Sequence, residues 1–429
     1  MKKIFRTILL AVLVLLLAAC RNETTTKEQE VFTPKLDTTT ECKIKVGGEY
    51  SNFEALVDEF KRFNAYYPNV ELSYTKIDSY HKTIGTVLKG KDAPNIFFSY
   101  SSWTGNSTYD EVFAQMENLA DPALGINLDC IRTGLINRSS DGKVLTVPIF
   151  SQTYGMMVNY DLFEREGLTV PTTLQELLNV CSAFKTKGYV SPIMGFSKKS
   201  SGCLMNTISY PIFAATLSEH PEMVALANSG SSQAGEYMRS ALETLSELIT
   251  NGCINLEECS KLNDDYTQVL LRFFEGDVPM MICTANTVSG REKRENESTA
   301  FKEHPFSYAF TTIPTTSKGG YFIDSPLIQF SVNKDCDNLA MTNEFMRFLI
   351  SSTELNQVAA KKCIIGSTKD YPFENYYAPF KNVSQDLIIH PTTLGVQDSL
   401  AIQIRIASYQ VGTGTITIEE AIQKYGTLE

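Results

Sequence analysis

Residue types that do covalent or metal chemistry are scattered along this chain. The histidines lie far apart in the sequence, at His81, His220, His304 and His390. No H-E-x-x-H, G-x-S-x-G, P-loop or calcium-loop motif occurs in the sequence. Glu49 and Asp324 are carboxylates that could serve as a glycosidase pair, although no motif links them. These observations disfavour an enzyme, and a carbohydrate-active enzyme stays open as an alternative.

Cys20 has the most distinctive sequence neighbours of any cysteine. It ends an apolar run over 8–19 that follows a short basic segment. Such a run is too short to span a bilayer as a helix, and this arrangement is typical of a secretory signal peptide. The segment LAAC, Leu17 to Cys20, resembles the lipobox of bacterial lipoproteins, in which the chain is cut before the cysteine and its thiol carries a lipid. We therefore predict a signal peptide over 1–19, with a secretory signal beside a chance cysteine as the alternative.

The segment after Cys20 is predicted to be a lipid-anchored, flexible leash over 20–41. It has almost no apolar residues and no hydrophobic period, so it cannot repay the entropy of folding. The folded part would then lie outside the cytoplasmic membrane and contact the membrane only through the lipid anchor.

The remaining cysteines do not form a recognisable motif. The chain has ten, so an odd number remains once Cys20 is lipidated. Cys253 and Cys259 are close in sequence, but their spacing matches neither a zinc site nor a redox motif. Inert core positions are the default expectation for Cys130, Cys181, Cys203 and Cys283.

Length and charge restrict the classes of protein to be considered. The chain has 429 residues, more than one hydrophobic core usually organises, so two lobes are expected. It carries 38 basic and 49 acidic residues. This acidic balance argues against nucleic acid as a partner.

Short strands and amphipathic helices alternate after the leash. Strands are predicted in CKIKVGG, NVELSYTKI and NIFFSY, with helices between them. In the first helix an apolar stripe is formed by Phe53, Leu56, Val57, Phe60 and Phe63. Strand, helix, strand, helix, strand indicates a mostly parallel sheet with helices on its faces. Further helices are predicted in QAGEYMRSALETLSELITNG and NLAMTNEFMRFLI.

Four segments in order resemble the carbohydrate-type solute-binding proteins of bacterial ABC importers. In chain order they are FNAYYPNVELSY, LKGKDAPNIFF, DGKVLTVPIFSQTYGMMVNYDLFEREGLTVPTTLQELL and FFEGDVPMMI, of which the third is the best match. Asn95 stands where this family usually has Asp. The resemblance extends over nearly the whole chain after the leash, although no single segment is as restrictive as a P-loop.

The resemblance implies a type II periplasmic-binding-protein-like α/β fold, with two lobes joined by crossing strands and a ligand cleft between them. Matching the crossing points predicts one lobe from 42–152 and 284–330, and the other from 153–283 and 331–429. Ligands of open parallel sheets bind beyond the carboxyl ends of the strands, which is consistent with such a cleft.

The same resemblance implies the function. The protein would capture a sugar or oligosaccharide and deliver it to the permease subunits of an ABC importer. It would act as a monomer, without catalysis, cofactor or metal. A receptor for another solute, or a sensor partner, remains an alternative; convergent charge in the cleft would indicate an anion or polyamine receptor.

The first lobe supplies four candidate ligand contacts. Glu49 and Tyr50 follow the first strand, where Gly47 and Gly48 are expected to allow a tight turn. A sugar has a flat C–H face and a rim of hydroxyls, so its site needs an aromatic plate with carboxylates or amides. Ser102 and Trp103 follow the third strand and match family positions that contact sugar. The alternative to a sugar contact is that Trp103 is a packed aromatic residue at the end of a strand.

Further candidates are Gln152, Tyr154, Tyr210, Asn286, Tyr321 and Asp324. Gln152 and Tyr154 match family positions on the first crossing segment. Tyr154 and Tyr210 could equally be core residues, since buried tyrosines are common there. The family usually has a tryptophan near the position of Asn286. This chain lacks that tryptophan, so we expect either a smaller sugar or a sugar that stacks on tyrosine.

Overall fold

The structure is a computed structural model that describes residues 31–262 and 266–429. The predicted signal peptide, Cys20 and the leash up to residue 30 lie outside the described residues. Pro34–Glu429 form one compact unit. Its first residues belong to the predicted leash but are attached to the folded chain. The backbone N–H of Lys35 donates to Glu344 Oε1 at 2.8 Å, and that of Leu36 donates to the Tyr67 hydroxyl at 3.2 Å.

The strands are β1 Cys42–Gly48, β2 Val70–Lys76, β3 Ile96–Ser99, β4 Val147–Pro148, β5 Ser151–Gln152, β6 Tyr154–Asn159, β7 Ile193–Met194, β8 Met280–Thr284, β9 Tyr308–Thr311, β10 Phe322–Ile323, β11 Ser325–Pro326, β12 Gln329–Val332 and β13 Ile388–Ile389. The α-helices are α1 Glu54–Asn64, α2 Tyr80–Val87, α3 Asp110–Phe113, α4 Tyr160–Glu166, α5 Leu174–Thr186, α6 Leu204–Glu219, α7 Val224–Asn228, α8 Arg239–Thr250, α9 Leu256–Ser260, α10 Tyr266–Phe273, α11 Ala285–Val288, α12 Arg291–Glu297, α13 Thr299–Glu303, α14 Leu339–Leu349, α15 Ser352–Lys362, α16 Pro391–Leu394, α17 Asp398–Gly412 and α18 Ile418–Gln423. Short 3-10 turns include Ser101–Trp103 and Ser107–Tyr109.

The first sheet has the strand order β2-β1-β3-β12-β4. β1 is parallel to β2 and β3, as predicted, whereas β12 is antiparallel to β3 and β4. The sheet is therefore mixed. Gly48 lies within β1 rather than in a turn, and a Cβ there would lie 2.6 Å from the Phe98 ring. Glycine at this position is explained by close packing.

Helix α1 covers the first sheet with the predicted apolar stripe, apart from one position. Leu56, Phe60 and Phe63 are buried, but Val57 is 39% exposed. The Phe63 ring lies 5.2 Å from that of Phe345 in α14. Burial of such aromatic rings stabilises the helix, because short helices gain most of their stability from packing.

The second sheet has the strand order β7-β8-β6-β9. β8 and β9 are both antiparallel to β6, while β7 is parallel to β8. Its core includes the fully buried Met156, Met157 and Val158 of β6. A strand buried on both faces reads as a continuous apolar run, as this one does.

The chain crosses between the sheets along β4–β6 and β11–β12. β5 and β11 form an antiparallel pair at the crossing. β12 belongs to the first sheet, so the second crossing lies near 324–327 rather than at 330–331. Two further segments differ from the predicted division into lobes. β9 was expected in the first lobe but pairs with β6, and α14 and α15 were expected in the second lobe but contact α1.

None of the helices in 31–262 and 266–429 is both long and apolar enough to cross a bilayer.

Candidate functional site

A polar network lies beyond the carboxyl ends of β1 and β3. The hydroxyl of Tyr100 donates to Glu49 Oε1 at 2.8 Å, and Trp103 Nε1–H donates to His81 Nδ1 at 3.2 Å. His81 Nε2 lies 3.6 Å from Glu49 Oε2. The side chains of Glu49 and His81 are 40% and 46% exposed, so each can also reach a ligand. We name Glu49, His81, Tyr100 and Trp103 the first wall.

Trp103 is packed inside this wall. Its side chain is 1% exposed, and the Tyr109 ring stacks on the indole with the centroids 4.4 Å apart and the planes at 9°. The indole therefore has no open face to offer to a sugar, and the packed-aromatic alternative describes its position. A ligand contact by Trp103 would require Tyr109 to move aside. That role stays a prediction.

Tyr50 and Ser102 flank the first wall. The Tyr50 ring meets those of Phe53 and Phe98 edge-on, each at 5.5 Å, and Lys362 Nζ lies 4.6 Å above it. Burial raises the pKa of Tyr50, and the charge of Glu49 adds to that increase. Ser102 is exposed.

Tyr154 and Tyr210 form the centre of a second wall. Tyr154 begins β6 and Tyr210 lies in α6, with their rings 5.1 Å apart at 49°. Burial raises the pKa of Tyr154 to about 12, and the Arg405 guanidinium opposes that increase. Burial also raises the pKa of Asp398, again opposed by Arg405. We name Tyr154, Tyr210, Asp398 and Arg405 the second wall.

The two walls approach each other at the start of α17. The negative charge of Asp398 contributes to the raised pKa values of Tyr154 and Tyr210, and also to that of Tyr109, which stacks on the first wall. Gly105, just after Trp103, has φ +77°, and a Cβ there would lie 2.6 Å from Gln397 Nε2. Helix α17 contacts both the Ser101–Trp103 turn and α6, so the carboxylate of Asp398 acts on tyrosines that neighbour each wall.

Gln152 and Asn286 meet at the crossing segments. The backbone N–H of Asn286 donates to Gln152 Oε1 at 3.1 Å. The Ser325 hydroxyl donates to the backbone oxygen of Gln152 at 3.3 Å. Gln152 lies two residues before Tyr154 in the chain, so the amide groups of Gln152 and Asn286 adjoin the second wall.

Asp324 is held in a buried ion pair. Its carboxylate is fully buried and accepts from Arg132 Nε and Nη2 at 2.7 and 2.8 Å and from the Ser151 hydroxyl at 2.6 Å. Burial favours a higher pKa, but the charge and hydrogen bonds of Arg132 outweigh it and hold the pKa of Asp324 below its usual value. A ligand contact, or a glycosidase pairing with Glu49, would require Arg132 and Ser151 to release this carboxylate, and the ligand contact stays a prediction.

Tyr321 packs against the core cluster that contains Tyr210. Its pKa is raised by burial and by the charges of Glu219 and Asp386. It thus has electrostatic neighbours different from those of the second wall.

Several residues in or beside these walls were not predicted from the sequence: His81, Tyr100, Tyr109, Tyr266, Asp398 and Arg405. Tyr266 is 46% exposed, meets Phe196 edge-on at 5.9 Å, and contributes to the raised pKa of Tyr154. A usable signal existed for Asp398 and Arg405, because residues seven apart share one face of a helix. No comparable signal linked His81 to the end of β3. Within the described ranges no group of three or more His, Cys, Asp or Glu side chains could hold a metal ion.

Two sheets linked by crossing strands, with polar and aromatic walls between them, define a two-lobe binding protein. The model of the family described as bacterial extracellular solute-binding protein matches residues 55–375. The chain therefore belongs to that family. No curated protein matches it in sequence.

Solved structures share the fold at low sequence identity. Apo RafE from Streptococcus pneumoniae is 15% identical, with TM-score 0.71, over 92% of this chain and 98% of that one. A sugar transporter of Bacillus licheniformis in complex with stachyose is 15% identical, with TM-score 0.61, over 90% of this chain and 100% of that one. MalE from Xanthomonas citri is 14% identical, with TM-score 0.66, over 90% of this chain and 95% of that one. At this level of identity the likeness establishes the two-lobe α/β fold.

Proposed function

We propose that this protein is a lipid-anchored, extracytoplasmic receptor that captures a sugar or oligosaccharide between its lobes and delivers it to an ABC importer permease. The observation that carries the proposal is that α17, which bears Asp398 and Arg405, contacts both the Ser101–Trp103 turn and α6, where Tyr210 packs on Tyr154 at 5.1 Å. Membership of the extracellular solute-binding family supports a binding role outside the cytoplasm.

The chemistry of the walls suits a neutral hydroxylated ligand. Carboxylates such as Glu49 and Asp398 can accept from adjacent hydroxyls, while tyrosine rings contact the C–H face of a sugar. Opposite charges are present together in the second wall, because Arg405 accompanies Asp398. A receptor for an anion or a polyamine would instead be expected to present charge of one sign. Structural relatives include proteins solved with raffinose and with stachyose.

We assign the plate that contacts the sugar to tyrosine rather than to tryptophan. Tyr266 is 46% exposed and its charge contributes to the raised pKa of Tyr154, whereas Trp103 is 1% exposed. Tyr154 would complete the aromatic surface with Tyr210, 7% exposed, packed behind it, and Glu49, His81 and Asp398 would bond the hydroxyl rim. Gln152 and Asn286 would add amide contacts at the crossing.

The lobes would be organised around the two sheets. We propose that β1–β4, β12, α1, α14 and α15 form one lobe, and that β6–β9 with α5, α6, α8 and α17 form the other. This division follows the observed strand pairs and helix contacts. Ligand bridging of the walls would then favour a closed arrangement.

Calorimetric titration with raffinose, stachyose, maltose and chitin oligosaccharides tests the proposal. One of these sugars should bind the wild-type protein, and Tyr154→Ala should weaken its affinity roughly tenfold or more, as for other central aromatic contacts. Tyr160→Ala is the matched control, since Tyr160 follows the opposite end of β6. Binding of none of these sugars, together with binding of an amine or anion, would contradict the sugar assignment.

A further inference from the structure

Cys181 and Cys253 lie in the core beneath the second sheet. Both side chains are fully buried in the cluster that also contains Phe184 and Ile193. Cys181 belongs to α5, and Cys253 follows the turn that ends α8. The chain between them runs through α6, α7 and α8, so a covalent link would close a long loop.

Hydrogen bonds hold the two segments together next to these cysteines. Lys185 lies one helical turn after Cys181, and its Nζ donates to the backbone oxygen of Asn251 at 3.1 Å. A Cβ on Gly252 would lie 2.3 Å from that Nζ, so the lysine side chain passes directly over the turn. Cys253 is fixed from both sides, because its N–H donates to Leu248 O and its carbonyl oxygen accepts from Ile193 N–H, each at 2.9 Å.

The two thiols lie in one buried cluster and act on each other electrostatically. A hydrogen bond between them is the largest influence on both groups, raising the pKa of Cys181 and lowering that of Cys253. The positive charge of Lys185 acts on both sulfurs and favours their thiolate forms.

We propose that Cys181 and Cys253 form an intramolecular disulfide in the exported protein. The pairing joins α5 to the end of α8 and does not involve Cys259, which is the nearest cysteine to Cys253 in the sequence. The family is extracellular, and disulfides form and persist in compartments that are oxidising.

Thiol–disulfide exchange with a disulfide donor, either a protein or a small molecule, accounts for the electrons. The Cys253 thiolate attacks one donor sulfur, which forms a mixed disulfide and releases the first donor thiolate. The Cys181 thiolate then attacks Cys253 Sγ, forms the internal S–S bond and expels the second donor thiolate. Two cysteine thiols thereby lose two protons and two electrons, and the donor disulfide is reduced to two thiols. Because both cysteines are buried, the exchange occurs before this core closes during folding.

Peptide mapping of the full-length exported protein tests the pairing. The protein is unfolded in denaturant with an alkylating agent, digested without reductant and analysed by mass spectrometry. The peptides containing Cys181 and Cys253 should be joined and free of alkyl groups. Alkylation of both residues, or a bond between Cys253 and Cys259, overturns the proposal.

Matched variants provide a second measurement. A phosphine reductant should lower the thermal midpoint of the wild type and of Cys259→Ala by several degrees. It should leave the midpoint of the double variant Cys181→Ala/Cys253→Ala unchanged, because a cross-link stabilises mainly by restricting the unfolded chain. A wild-type midpoint that does not respond to reductant contradicts the disulfide.

Discussion

Replacement of Trp103 by alanine is expected to destabilise the folded protein strongly. The sequence alone favoured an exposed plate, whose loss would mainly weaken ligand binding. In the structure the side chain is 1% exposed, stacks on Tyr109 at 4.4 Å and donates to His81 Nδ1 at 3.2 Å. Truncation of a large buried aromatic costs about 3–5 kcal/mol. Within that total the stacked pair accounts for about 0.5–1.5 kcal/mol and the hydrogen bond for about 1 kcal/mol.

Trp103→Phe separates these contributions. It keeps a ring against Tyr109 but loses the indole N–H, so the expected loss is smaller, about 1–2 kcal/mol. Urea unfolding followed by far-ultraviolet circular dichroism is the suitable assay, because Trp103 is the only tryptophan and its replacement removes the fluorescence signal. An unchanged unfolding free energy for Trp103→Ala, combined with lost ligand binding, would refute the packing argument.

Four further outcomes are expected. Cys20→Ser should abolish acyl-dependent membrane retention, and equal partition of variant and wild type into detergent would contradict the anchor. Small-angle scattering should give a smaller radius of gyration with bound ligand; an unchanged radius would argue against lobe closure. Asp324→Asn should cost about 3–5 kcal/mol at pH 7 by leaving Arg132 unpaired. The pKa of Asp324 is lowered in the folded state, so its contribution to the free energy of unfolding is complete above the unfolded pKa of about 3.9 and is lost as pH falls through the folded pKa. The unfolding free energy of Asp324→Asn should therefore vary less with acid pH than that of the wild type. An equal acid dependence of the two proteins would contradict this. Gly105→Ala should cost about 1–2 kcal/mol in chemical denaturation, since it places a Cβ against Gln397 at positive φ; no loss would contradict that contact.

Local patterns predicted the elements around the first wall well. The predicted strands at 42–48, 69–77 and 95–100 correspond to β1, β2 and β3, and the intervening helices are α1 and α2. Their order predicted parallel pairing, because such crossovers bring consecutive strands together. Nothing local predicted the antiparallel insertion of β12 between β3 and β4, since that pairing joins residues more than 180 positions apart.

Exposure was harder to predict than position. Ser102 and Trp103 do follow a strand at the expected edge, yet Trp103 is enclosed because Tyr109, from the next 3-10 turn, covers it. Asp324 was predicted to contact the ligand, but its carboxylate accepts from Arg132 and Ser151, which are distant in sequence. A polar residue type shows what a side chain can bond, whereas its partner depends on which segments meet.

The sequence by itself determined the strand and helix alternation, the resemblance to solute-binding proteins and the residue types at the strand ends, because these depend on hydrophobic period and local motif. Only the tertiary structure decided that β9 pairs with β6, that α17 contacts both the Ser101–Trp103 turn and α6, and that Cys181 and Cys253 share one buried cluster. The physical reason is that long-range contacts arise from the packing of complete elements. The side chain that occupies a given space then depends on the relative placement of those elements rather than on neighbours in the chain.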